Sequence, residues 1–199
     1  LDGGKDLIVC SFGDEYISKD NNVVELAAER LGCEYENFAF DDASNNYIQY
    51  EITKRAIQLE NEPVIFIIGW TDPNRLDAEH EGNYFTYRPD KTEYTNTLMN
   101  KLHRYDDYLF DEIVRHSRWA AQVYGVQQLL ENNHINYYMF NTQKKINFNK
   151  YTEKIIKEFD HNKYYDCINN DCALLNFDED KFSKLISKKC RQLGYVDRP

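Results

Sequence analysis

Residues 64–70 read VIFIIGW, seven apolar or glycine positions in a row, with Pro63 before them and the polar TDPN after them. A strand covered on one side alternates apolar and polar residues, so a continuous β-branched run predicts a strand buried on both faces. Upstream, residues 6–11 (DLIVCS) read as a second buried strand, with Leu7, Ile8, Val9 and Cys10 in succession. Asn21 or Asn22 can cap a helix carrying Val23, Val24, Leu26, Ala27 and Leu31, and Gly32 can end it in a left-handed turn. EYENFAF (34–40) alternates as a strand, DDASNN breaks it, and Ser44 or Asn45 caps a helix with Ile48, Ile52, Ala56 and Ile57 on one side. Three strand–helix alternations around such a central strand predict a three-layer α/β/α sandwich with a mainly parallel sheet of four or five strands.

Downstream the pattern loosens. Residues 71–103 read as a polar and aromatic insertion, in which GNYFTYRP has the look of a hairpin strand. A long helical pattern covers 104–131, with Asp106 and Asp107 in its first turn, where they suit the helix dipole. INYYMFN (135–141) is the fourth strand, 142–177 has no clear assignment, and 178–193 is a final amphipathic helix before Gly194. With no repeat or linker, residues 1–199 are expected to form one domain.

Composition narrows the function. The net charge is −10 and the basic residues are scattered, so the basic stripe of a nucleic-acid binder is missing and an anionic membrane is disfavoured. The longest apolar run is too short to span a bilayer, and LDGGKD at the start has no signal-peptide core. The five cysteines (10, 33, 167, 172 and 190) are odd in number and lack zinc-motif spacing, which points to reduced thiols in a cytoplasmic setting. No cofactor or metal is expected.

In an open parallel sheet, ligands gather beyond the carboxyl ends of the strands. The residues placed there are Ser11, Phe12, Gly13 and Asp14 after the first strand, then Asp41 to Asn45 after the second. After the third come Gly69, Trp70, Thr71, Asp72 and Asn74. In this order the chain resembles the SGNH (GDSL-like) hydrolases, in a branch often seen in bacteriophage genomes. In that family a serine closes the first strand, and VCSF puts Ser11 there. A second block, roughly Asn-x-Ala-x-Gly-Gly-Ala-Ser-Asn, is matched by NFAFDDASNN, and a third, Gly-x-Asn-Asp, by GWTD within IIGWTDPNR.

The resemblance covers about the first 75 residues and implies a serine esterase or acyl hydrolase in which Ser11 attacks an acyl carbon. Asp42, Asn45, Trp70 and Thr71 would line the oxyanion side of the site. Heavy use of Asn and Tyr, in runs such as NNHINYYMFN and HNKYYDCINND, is associated with AT-rich genomes such as those of bacterial viruses, which would place the protein in a host cytoplasm. The chain departs from the pattern at three points: Asp42 replaces an oxyanion-hole glycine, Thr71 replaces an asparagine, and no Asp-x-x-His is present. The final YVDRP ends where a base-bearing loop is expected, so weak or no esterase activity is the expectation. None of the histidines 80, 103, 116, 134 and 161 shares a motif with another, although His80 and His103 lie in or beside the insertion. Two other functions fit the same residues. One is a magnesium-dependent phosphohydrolase using Asp14, Asp41, Asp42 and Asp72. The other is a non-catalytic interaction protein with a tyrosine-rich contact surface in 82–108.

Overall fold

In the computed structural model, β3 (Val64–Trp70) is buried at all seven positions, and its side chains divide between two cores. Val64, Phe66, Ile68 and Trp70 join one hydrophobic cluster, while Ile65 and Ile67 join another on the opposite face. The same alternation runs through β1 (Ile8–Phe12), whose Cys10 and Phe12 face the first cluster and Val9 the second. The structure describes residues 7–14, 17, 22–59, 62–80, 83–88, 100–101, 111–142, 149–164 and 179–192.

Beside β1 lies β2 (Glu34–Asn37), and beside β3 lies β6 (Asn136–Asn141), giving a four-stranded parallel sheet in the order β2-β1-β3-β6. Helix α1 (Val23–Leu31) and helix α5 (Glu179–Gln192) cover the face of Val9 and Ile67. Helices α2 (Asn45–Gln58), α3 (Glu112–Asn132) and α4 (Lys150–Ile156) cover the other. The result is the three-layer α/β/α sandwich expected. The strand order changes direction between β1 and β3, so the crevice where open α/β sheets bind ligands falls between their carboxyl ends.

Local chemistry sets the helix ends. Asn22 accepts from Val24 N and Glu25 N, and Gly32 closes α1 at φ +66°, a conformation that favours glycine. Ser44 caps α2 by accepting from Tyr47 N at 3.2 Å, which leaves Asn45 available for another partner. Helix α3 starts at Glu112 with Asp111 as its cap, later than the pattern from 104 suggests; Asp106 and Asp107 lie outside the described residues.

Several elements depart from expectation. β2 ends at Asn37, short of the expected residue 40, although Phe38 N and Phe40 N still donate to the Ser11 and Gly13 carbonyls alongside at 2.9 and 3.1 Å. The insertion holds a whole antiparallel hairpin, in which β4 (Leu76–His80) pairs with β5 (Asn83–Tyr87). Helix α4 falls in the stretch left unassigned, and a parallel bridge from Met139 to Tyr164 follows it. No described helix is long and apolar enough to cross a membrane.

Candidate functional site

Two glycines bring the ends of the central strands together. A Cβ on Gly69 would lie 2.3 Å from Ile17 Cδ1 and 2.7 Å from Thr142 Cγ2, and one on Gly13 would lie 2.7 Å from Ile17 Cδ1. Since Phe12 is level with Ile68, the chain leaves β1 beside Gly69 and delivers Asp14 to the switch point.

Asp14 is fully buried there. Its Oδ2 accepts from Thr71 Oγ1 at 2.7 Å, lies 3.1 Å from Thr142 Oγ1, and forms an ion pair with Arg75 Nη1 at 3.4 Å. The Thr142 hydroxyl is also 3.0 Å from the Trp70 carbonyl, so one proton serves two acceptors. Arg75, itself buried, donates to the Ala43 carbonyl at 3.3 Å. Asn45 clamps the same loop from α2: its Nδ2 donates to Thr71 O at 3.0 Å, and its Oδ1 accepts from Thr71 N at 2.9 Å. The loops after β1, β2, β3 and β6 thus share one buried polar cluster. A buried carboxylate without such partners is expensive, so these groups stand or fall together.

Of the residues singled out from sequence, Asn45 and Thr71 meet in this cluster. Trp70 is core: it is fully buried, and its indole Nε1 donates to Met139 Sδ at 3.5 Å. Asp42 stands on the rim with φ +62°, a left-handed conformation that favours glycine and that Asp tolerates. Its carboxylate is turned to Arg88, just beyond β5.

Ser11 lies elsewhere. It is inside β1, level with Ile67, and the four residues from Ile67 to Thr71 add roughly 13 Å of strand rise. Its side chain is fully buried, donating to Asn37 Oδ1 at 2.9 Å and accepting from Tyr35 Oη at 2.8 Å. Asn22 Nδ2 in turn donates to Tyr35 Oη at 2.7 Å, and Asn37 Nδ2 to Ile17 O at 3.1 Å. Burial holds the Tyr35 phenol above its ordinary pKa, against its hydrogen bonds with Ser11 and Asn22, which pull it down. This second network joins α1, β1 and β2 on the face of Val9. The structure therefore does not bring Ser11 to Thr71.

The acids do not converge either. Asp14 is held by Arg75 and the two threonines, Asp42 by Arg88, and Asp72 Oδ1 accepts from Asn74 N at 2.8 Å. Among the described residues no group of three His, Cys, Asp or Glu side chains is arranged to hold a metal ion. Of the histidines, His116 is buried on α3 with Nε2 3.8 Å from Glu112 Oε1, while His134 and His161 are exposed. The side chain of His80 and all of His103 fall outside the described residues.

Three members of the Asp14 cluster had weak signals in the sequence. Asp14 stands out only as one of four loop acids. Arg75 closes the IIGWTDPNR stretch, and Thr142 opens a segment with no periodicity. The remaining signal is positional, since each follows the carboxyl end of a strand of the parallel sheet. No family model and no curated protein matches the chain.

Proposed function

We propose that this chain keeps a divergent SGNH-like hydrolase fold as a non-catalytic interaction protein, and that Ser11 is a structural residue without a nucleophile's role. The observation that carries this reading is the Ser11 hydroxyl itself, fully buried and bonded on both sides by Tyr35 and Asn37. A nucleophile needs a base within hydrogen-bond reach and room for an acyl carbon. Both partners of Ser11 are neutral groups that complete its bonding. The kinship to the hydrolase fold is supported by the left-handed backbone at Asp42, where the family's second block has glycine. It is supported also by the meeting of the loops after β2 and β3 through Asn45 and Thr71.

A partner of neutral or basic surface suits a chain of net charge −10, and nucleic acid or an anionic membrane does not. A cytoplasmic setting goes with the buried reduced thiols Cys10 and Cys190. Tyr87, within the tyrosine-rich stretch, is buried and belongs to the fold, leaving the contact role to other residues.

A fluorophosphonate probe and a panel of short-chain esters test the reading. The expected result is no labelling of Ser11 and no turnover above a heat-treated control. Covalent labelling at Ser11, lost in Ser11→Ala together with ester turnover, would establish an enzyme instead.

A further inference from the structure

We propose that the β4–β5 hairpin is a clasp over the carboxyl edge of the sheet, hinged at Arg75 and latched by Arg88 on Asp42, whose opening uncovers the Asp14 cluster. The two feet of the hairpin are both arginines, and they are held very differently. Arg75, just before Leu76, is 2% exposed in its side chain and paired with an Asp14 carboxylate that is 0% exposed. Arg88, just after Tyr87, is 24% exposed and paired with Asp42, which is 48% exposed. Breaking a buried pair strands a charge in the interior, whereas a pair partly open to water, as Arg88–Asp42 is, exchanges its bond for water at lower cost. Motion therefore begins at the Arg88 foot and pivots at Arg75.

Three further observations fit a clasp. Tyr87, next to the latch, is 1% exposed, so the closed hairpin is seated by an aromatic side chain as well as by charge. β4 packs against α2, the helix whose Asn45 holds Thr71, which sets the hairpin beside the cluster. The cluster itself is fully covered, with Asp14, Thr71 and Thr142 each at 1% exposure or less, although it sits where this fold class binds ligands. Any ligand that reaches it must first displace its cover. The inference concerns motion and holds whether or not the protein turns over a substrate.

Amide hydrogen exchange followed residue by residue by NMR tests the clasp on the full chain. Asp42→Asn keeps a residue that tolerates the left-handed backbone while removing the charge, and Arg88→Ala removes the latch from the other side. Both are expected to speed exchange across 83–88 at least three-fold, with the Thr71 amide rising in step and the amides of β1 and α3 unchanged. Adding 0.5 M salt is expected to do the same to the unaltered chain, in line with screening of an exposed pair, and to add nothing in Arg88→Ala. Unchanged exchange in the hairpin of both variants would overturn the latch. A faster hairpin with an unmoved Thr71 amide would overturn the uncovering of the cluster. A rise spread evenly over β1 and α3 would show a pair that holds the whole fold, and would overturn the clasp as well.

Discussion

A hydroxyl buried without access to water has to spend its proton on something, and at Ser11 the recipient is Asn37 Oδ1. Removing the hydroxyl leaves the half-buried Tyr35 phenol without its acceptor, a loss of about 1–3 kcal/mol. Ser11→Ala is therefore expected to lower the unfolding free energy, read from urea titration, by that amount. Tyr35→Phe should show a similar loss, and the double variant less than the sum, because the two side chains share one network. A nucleophilic serine predicts the opposite pattern, with stability intact and activity gone, so equilibrium unfolding of Ser11→Ala separates the two. At this scale the sequence misleads for a physical reason. The apolar run seems to stop at Ser11 because a satisfied polar side chain sits on one face of a strand that continues through Phe12.

Among the elements, what was legible follows from how much of an element's identity lies in its own residues. β3 declares itself because both faces are buried and every position is apolar or glycine. Helix α1 does so through an Asn cap, an apolar side and a glycine stop. β4, by contrast, reads LDAEH, with little β propensity, and is a strand because β5 pairs with it. Helix α4 is only seven residues long and depends on its Asn149 cap and on packing against α3. The site divides in the same way: Asn45 and Thr71 are legible from their place after strands, while Thr142 and Arg75 gain meaning only when the sheet brings Asp14 to them. Two glycines give the element scale a test with opposite signs. Gly69→Ala would press a methyl into Ile17 and Thr142, and is expected to cost about 1–3 kcal/mol. Gly125 lies inside α3 with nothing within 4 Å of an added Cβ, so Gly125→Ala is expected to stabilise by about 0.5–1 kcal/mol. Thermal unfolding of the two variants checks both.

For the whole molecule, two cores back to back across one sheet make the thiols a sensor of folding at alkaline pH. Burial, assisted by Glu36, pushes the Cys10 thiol up to about 12. Burial, assisted by Cys33, does the same for Cys190, also to about 12. The ordinary thiol value is 9.0, so between pH 9 and 12 the unfolded chain releases these protons while the folded chain keeps them. Stability contributed by the two buried thiols is thus full below pH 9 and lost as pH rises toward 12, at about 1.4 kcal/mol per pH unit for each. Urea midpoints measured from pH 8 to 11 are expected to fall, and a Cys10→Ala, Cys190→Ala variant should fall less steeply from its own lower starting point.

The short outer strand β2 has a consequence for how copies of the molecule behave together. Its pattern is exposed at Glu34, Glu36 and Asn37, with only Tyr35 half-buried, and among the described residues it ends the sheet on that side. An open strand edge invites a neighbour to continue the sheet, and two such edges meeting would bring glutamates across from glutamates. A chain carrying −10 overall adds a longer-range repulsion to that local one. Two carboxylates in a strand of four residues therefore act as a guard against edge-to-edge stacking at neutral pH.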